Sequence, residues 1–418
     1  MSKWNYPLSS KMIQRSISFS LSAVLLALPM TVSAAEVTIE KNVSNSGISH
    51  TIVINEHSYE GSPLDVGEHH FLTLKEIERE WDGIDPDYKP DQAVDAVKAL
   101  LPQKEYEELF PNRLGSPEWF KVAKGKEYFK DNQTDYFSYD NLIAAVTEVS
   151  NIKLKISTRK GANGVQEIHR LDKDARIETL IVRSSDFNSA ANKKKEIETV
   201  IIDFGTFLKE GFKKDRKREL AAFLANLAHE TGGGWSTAPG GELKWGLFWN
   251  ENIAGRTGVN KDAFVDPASS ELYPGVKDKR YYGRGPIMLS WNFNYGLFSS
   301  IIYGDKNMLL SNPEIVAADG KVGFMTAILF WMTPQAPKPS AHDVIINKWK
   351  PSLDDVVKGL GQPGFGITIM VLNGLEANLG ETEGSSVKRR AGHYRDITSQ
   401  MGIDVTGEKI DTLGMKPF

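Results

Sequence analysis

The spacing of apolar residues divides the chain into helical and strand-like stretches. The clearest helix covers residues 215–230, where Leu220, Phe223, Leu224 and Leu227 recur at i, i+3, i+4 and i+7. Gly232-Gly233-Gly234 follows and ends it. Residues 322–332 form a second apolar helix, with Asp319 placed to cap its start. Residues 72–81 and 93–101 also read as helices. Strand signals are β-branched at 37–39 and 51–54, and alternate at 152–158, 166–171 and 176–182. Residues 151–202 therefore read as a β-hairpin insertion in a mainly helical, α+β body. At the N-terminus an apolar run over 17–32 follows Lys11 and Arg15 and leads into Val32-Ser33-Ala34-Ala35. Charged, apolar, then small is the order of a cleaved secretory signal over residues 1–35. The run is shorter than the about 20 residues of a membrane span. Met12 is an alternative start giving a more compact signal, and an uncleaved anchor is the alternative fate.

Composition narrows the function classes. A chain of 418 residues allows two or three domains. Residues 36–103 read as an N-terminal extension without an assigned role, and 104–418 as the main domain. Removing Lys3, Lys11 and Arg15 with the signal takes the formal net charge from −4 to −7. That leaves no basic footprint for nucleic acid or an anionic membrane. Cys is zero, which excludes a disulfide framework, a thiol nucleophile and any cysteine-ligated metal. An exported chain without cysteine is more typical of a bacterium. His69-His70 lacks a third ligand at a useful spacing and reads as solvated surface.

Glu230 is the sharpest chemical candidate. It follows Leu227 by three residues and Phe223 by seven, so it projects from the apolar face in the last turn of its helix. A half-buried carboxyl there favours its protonated form, as a general acid requires. Downstream stand Trp235, Trp245, Trp249, Tyr281, Tyr282, Trp291, Phe293, Tyr295 and Trp331, interleaved with Ser290, Asn292 and Asn294. Aromatic faces for C–H surfaces, with amides and hydroxyls between them, suit a carbohydrate cleft; the same aromatics also suit a core. His229-Glu230 lacks the second His of a zinc protease helix, and Ser290 lacks a small-residue nucleophile elbow.

The segment His229-Glu230-Thr231-Gly232-Gly233-Gly234-Trp235-Ser236-Thr237-Ala238-Pro239 resembles the glycoside hydrolase family 19 chitinases, in their bacterial, secreted form. So do Tyr282-Gly283-Arg284-Gly285-Pro286 and Ser290-Trp291-Asn292-Phe293-Asn294-Tyr295-Gly296. Further matches are Phe330-Trp331-Met332-Thr333-Pro334-Gln335, Lys338-Pro339-Ser340-Ala341-His342-Asp343-Val344 and Gly364-Phe365-Gly366. The resemblance starts near Leu109-Phe110-Pro111-Asn112-Arg113 and runs almost to the C-terminus. It implies a two-lobed, lysozyme-like helical fold and inverting endo-hydrolysis of β-1,4-linked N-acetylglucosamine polymers. It implies no cofactor and no metal. Chitin or chitooligosaccharides would be the partner of a monomeric chain, with no nucleic acid and no membrane once the signal is cleaved.

Residue by residue, Glu230 matches the family's general acid and Ser290 the residue holding the attacking water. Asn294, Gln335, Lys338 and Asn373 match positions lining the sugar cleft. His229, Thr231, Trp245, Asn252 and Phe293 stand among the same motifs and join that expected set. Arg284, Glu376 and Arg390 resemble the charged network that orients the carboxylates.

Three departures bear on catalysis. Inversion needs a second carboxylate about 6.5–9.5 Å from the first, leaving room for a water. Gap-free alignment of Lys244-Trp245-Gly246-Leu247-Phe248-Trp249 puts Asn252 at that base position, with Glu251 one residue early. Either Glu251 serves as base through a local shift, or Asn252 weakens the site. Met288 stands where the family commonly has Gln, and Asn373-Gly374-Leu375-Glu376 is one Gly shorter than the family segment. The leading expectation is a secreted endochitinase. A chitinase-like sugar-binding protein and a peptidoglycan hydrolase are the alternatives.

Overall fold

The computed structural model describes the backbone of residues 37–44 and 47–54, and residues 64–85, 88–162 and 164–418 in full. The expected export signal lies outside the described residues. The chain divides into two compact units, Met1–Pro63 and Leu64–Phe418. In the first, β1 (Val37–Ser44) pairs antiparallel with β2 (Gly47–Ile54), Val37 opposite Ile54 and Ser44 opposite Gly47.

The second unit is helix-rich with one antiparallel sheet. Its strands are β3 (His69–Phe71), β4 (Ile152–Arg159), β5 (Gln166–Asp172), β6 (Ile177–Arg183) and β7 (Ile197–Asp203). They lie in the order β3-β6-β5-β4-β7. The three alternating stretches in the sequence thus form the centre of a five-stranded sheet. Its edges escape the pattern: β3 is too short to show a period, and β7 is exposed over most of its length. Ile156 pairs with Ile168, and Leu154 with Ile202; all four face the main core. Leu171, on the other face, packs with Ile77 of α1 (Leu74–Glu80) and with Leu72 and Trp81, which flank that helix. Lys153 reaches into that layer, donating to the Trp81 and Gly83 carbonyls at 2.8 Å each. His69 is exposed, whereas His70 Nε2 lies 3.4 Å from Glu178 Oε2.

The helices that position the site are α2 (Pro90–Leu100), α3 (Tyr139–Ser150), α4 (Lys213–Glu230), α5 (Asn292–Tyr303), α6 (Gly320–Met332), α7 (Phe365–Leu372) and α8 (Ser386–Gln400). Helix α3 packs against α2 and α6, and α8 packs against α4. The Asp319 side chain caps α6 by accepting from Val322 N at 3.2 Å. Helix α4 differs from its amphipathic reading. Every residue from 218 to 228 is buried, because Ala221, Ala222, Ala225 and Ala228 admit neighbours on the faces away from the leucines.

A helix buried on all sides must satisfy its polar groups internally. Arg218 forks onto Glu408 at 2.9 and 3.0 Å. Glu219 accepts from the Trp331 indole at 3.1 Å and contacts His342 Nδ1 at 2.5 Å. Among the described residues, no helix is long and apolar enough to cross a membrane.

Candidate active site

The site is organised by the C-terminus of α4. Thr231 is its C-cap and has no exposed surface. Its hydroxyl donates to Leu227 O at 2.6 Å and accepts from Leu247 N at 2.9 Å. Its carbonyl accepts from Phe248 N and Trp249 N at 3.0 and 2.9 Å. Thr231 was expected to bind substrate; with all its polar atoms committed inside the protein, it instead ties segment 247–249 to the helix end. The glycines that follow allow the same close packing. A Cβ on Gly233 would fall 2.6 Å from the Phe248 ring, and one on Gly234 2.9 Å from Trp245 Cβ.

One residue before Thr231, the Glu230 side chain is about one-fifth exposed, and its Oε1 lies 2.5 Å from Arg390 Nη2. The guanidinium is fully buried and also holds Glu376, through Nη2 to Oε1 at 2.7 Å and Nε to Oε2 at 3.0 Å. Its remaining Nη1 donates to Asn226 Oδ1 at 3.0 Å. Asn373 Nδ2 donates to Glu376 Oε1 at 3.1 Å. Burial works against the Arg390 charge, but Glu230 and Glu376 overcome it and push its pKa up. Burial likewise opposes the Glu376 carboxylate, yet the Arg390 hydrogen bonds and charge bring its pKa below the ordinary value. Of the expected network residues, Arg390 thus meets Glu230 directly and Glu376 is joined to it through the guanidinium. Asn226 was missed, although its place one turn before Glu230 puts both on one helix face.

Arg284 does not join that network. Its Nη1 donates to Arg280 O and the Tyr295 hydroxyl at 2.9 and 3.0 Å, and its guanidinium carbon sits 3.7 Å from the Tyr282 ring centre. Its side chain is held by carbonyls and aromatic rings, and its backbone bridges Glu251 on one side and Leu289 on the other. Arg284 therefore aligns the segments that carry Glu251 and Leu289. Glu251 is mostly buried; Tyr282 donates its phenol proton to Oε2 at 3.1 Å, and Arg256 Nε lies 3.9 Å from Oε1. Sequence reasoning left Tyr282 and Arg256 without a role.

Asn252, next to Glu251, is exposed and caps the helix Ile253–Arg256, its Oδ1 accepting from Gly255 N at 2.8 Å. That bond supplies a structural reason for an amide at this position. Glu251 also lines a pocket of about 310 Å³ with Trp249, Tyr128 and Arg256.

Ser290 lies one residue beyond the Arg284–Leu289 bridge, half-buried, and donates to Met288 O at 3.0 Å. It is flanked by two residues with positive φ, Met288 at 49° and Trp291 at 76°. Such conformations cost of order 1–3 kcal/mol and gather at functional sites. Asn294 Nδ2 donates to Ser290 O at 2.9 Å and its Oδ1 accepts from Gln335 Nε2 at 3.3 Å. Gln335 and Lys338 pair through their backbones, and Lys338 Nζ donates to Val371 O at 3.2 Å. Burial lowers the Lys338 pKa.

The aromatic cluster divides between core and surface. Trp331, Tyr281 and Tyr295 are core, whereas Trp235 and Trp291 are exposed, and Trp245, Trp249 and Phe293 lie half-buried. Trp245 packs on Trp235 with ring centres 5.2 Å apart and donates to Pro239 O at 3.1 Å. His229 is deeply set; burial, then the Arg390 and Arg389 charges, hold its pKa far below the ordinary value. Among the described residues no group of three or more His, Cys, Asp or Glu stands together as a metal site.

Residues 185–412 match the glycoside hydrolase family 19 model, class I chitinase. Chitinase 9 of Oryza sativa subsp. japonica is 43% identical over 221 residues, 53% of this chain and 62% of that protein. An endochitinase of Carica papaya is 42% identical over 217 residues, 51% of this chain and 83% of that protein. The chain spans about six-tenths of the length of the first rice and pea relatives it matches. A class IV chitinase structure from Zea mays aligns with TM-score 0.41 and 20% identity, over 74% of this chain and 96% of that one.

Proposed function

Because the chain belongs to the class I chitinase family, glycoside hydrolase family 19, we propose that it is an endochitinase that cleaves β-1,4-linked N-acetylglucosamine polymers with inversion. The observation that carries this reading is the arrangement of Glu230 beside Arg390 and Glu376, with Glu251 held separately by Tyr282 and Arg256. In the reaction Glu230 gives its proton to the glycosidic oxygen as the C1–O bond breaks. Glu251 takes a proton from a water that attacks C1 from the opposite face, with Ser290 accepting or donating a hydrogen bond to that water. A new C1–OH bond forms on the inverted side, as two carboxylates in these roles require.

Arg390 sits between Glu230 and Glu376; the Glu376 carboxylate shares its charge, and the guanidinium fixes the aim of the Glu230 carboxyl. Asn252 supports assignment of the base to Glu251, since its own carbonyl oxygen is engaged as a helix cap. Asn294, Gln335, Lys338 and Asn373 supply amide and ammonium groups for sugar hydroxyls and N-acetyl groups. Trp245 and Phe293 supply apolar faces. The N-terminal pattern supports a cleaved signal, and the absence of cysteine favours bacterial export. The test is Glu230→Gln with chitin oligomers: turnover falls by at least about a hundredfold, the general-acid range, while the thermal transition stays in place. Unchanged turnover refutes the role.

A further inference from the structure

Strand β7 is an open edge of the five-stranded sheet. It pairs with β4 over 7 residues without a break, from Ile197 opposite Arg159 to Asp203 opposite Lys153. Among the described residues no strand pairs with its other side. Native sheets blunt such an edge with a proline, a bulge or a covering segment. Residues 197–203 contain no proline, and 197–200 are exposed, Ile197 at 43% and Val200 at 45%. Hydrogen-bond parity decides what this edge offers. Lys160 N donates to Glu196 O at 2.9 Å, so in the alternating antiparallel ladder Glu198, Val200 and Ile202 also turn their backbone groups toward β4. Ile197, Thr199, Ile201 and Asp203 turn theirs outward. The Asp203 carbonyl already accepts from the Thr206 hydroxyl at 2.8 Å. What is left is the N–H and C=O groups of Ile197, Thr199 and Ile201, a set symmetric about Thr199.

We propose that β7 docks against β7 of a second copy of this chain, antiparallel and across a two-fold axis at Thr199. In that register Thr199 meets the partner's Thr199 and Ile197 meets the partner's Ile201. Every one of the free outward groups then enters a ladder of about six hydrogen bonds. Glu198 falls opposite the partner's Val200 and Glu196 opposite the partner's Ile202, so no like charges stand directly opposed. The chain is basic just before the strand, at Lys193, Lys194 and Lys195, and the strand ends on Asp203. Antiparallel pairing brings each basic end to the other copy's acidic end, with Lys195 opposite the partner's Asp203. Parallel pairing would set like ends together. The contact is isologous and closes after two copies, in place of the monomer that the family resemblance implies.

A single strand edge is a small interface, so association is weak and concentration-dependent. Sedimentation velocity on the wild type, from low micromolar concentration upward, should show monomer passing to dimer. Thr199→Pro removes an outward N–H while sparing the β4 ladder, a position where an edge strand tolerates proline. With two of the roughly six hydrogen bonds gone, the dimer Kd should rise at least about tenfold while the thermal transition stays in place. Thr199→Cys gives a second reading, because the chain has no cysteine and any disulfide must join two copies. Directly opposed hydrogen-bonded residues lie about 5.5 Å apart at Cα, inside the disulfide range of about 4.4–6.8 Å. Mild oxidation should therefore trap a covalent dimer, whether or not the proline variant folds. A wild type that stays monomeric at every concentration overturns the proposal, as does a folded Thr199→Cys protein that yields no covalent dimer. A dimer that folded Thr199→Pro leaves at full strength also overturns it, since that dimer would use another surface. Strand β7 carries none of the residues assigned to catalysis, so the chitinase reading stands or falls separately.

Discussion

Arg390 Nη2 lies 2.5 Å from Glu230 Oε1 and 2.7 Å from Glu376 Oε1, so one buried nitrogen holds two carboxylates together. Breaking a buried ion pair from one side costs about 3–5 kcal/mol, because the remaining charges lose their partner. Arg390→Met should therefore lower the unfolding free energy by about that amount in a denaturant titration. Arg390→Lys keeps a charge but loses the planar fork that engages Glu376 and Asn226 at once. It should fold and lose at least tenfold in turnover; a fully active Lys variant would show that the aim of Glu230 does not depend on the guanidinium.

Stability should peak near pH 6.5 and fall on both sides. His342 is pushed up to about 10: burial opposes its charge, but Glu219 and Glu210 outweigh burial. A raised histidine contributes fully below its unfolded value of 6.5 and loses that contribution as pH climbs toward about 10. His393 runs the other way, lowered to about 3 by burial and then by Arg389 and Arg390. Unfolding lets it take up a proton, so its contribution is present above 6.5 and lost as pH falls toward about 3. Thermal melts from pH 4 to 10 check this, and His342→Gln should flatten the alkaline side. An alkaline slope that survives in that variant would assign the effect elsewhere.

Thr231→Val should destabilise by about 1–3 kcal/mol, since Leu247 N would be left buried without an acceptor. It should also lower turnover although residue 231 touches no substrate, because segment 247–249 leads into Glu251. A variant that melts normally and works normally would remove Thr231 from the architecture of the site.

Asn252 separates the two accounts of the missing base. As a helix cap, Asn252→Ala should cost about 1 kcal/mol of stability and change turnover less than threefold. Asn252→Asp preserves the cap and should restore stability. A collapse of turnover in Asn252→Ala with an unchanged melt would mean that the amide itself takes part in the reaction.

Much of this was legible in the chain where structure is local. The 3.6-residue period of Leu220, Phe223, Leu224 and Leu227 located α4, and Asp319 capped α6 as its side chain and spacing required. The meeting of Glu230 with Arg390 and Glu376, 160 and 146 positions apart in number, came from family resemblance and not from periodicity. Local pattern failed where packing decided the outcome. The alanines of α4 look neutral in sequence but allow burial on every side. Arg284 has the charge expected of a carboxylate partner, yet the aromatic rings of Tyr282 and Tyr295 and nearby carbonyls take its guanidinium. Glu251 and Asn252 are adjacent in the chain, so a one-residue slip exchanges them, and it takes the fold to separate them: Glu251 meets Tyr282 and the pocket, whereas Asn252 turns to cap Gly255 N.

The most direct test follows the anomeric form of the products released from N-acetylglucosamine hexamer by the wild type and by Glu251→Gln, side by side. The account predicts shorter oligomers born as the α anomer from the wild type. It predicts a rate at least about a hundredfold lower from a normally folded Glu251→Gln protein. Products born as the β anomer, no products at all, or an undiminished Glu251→Gln rate would contradict it.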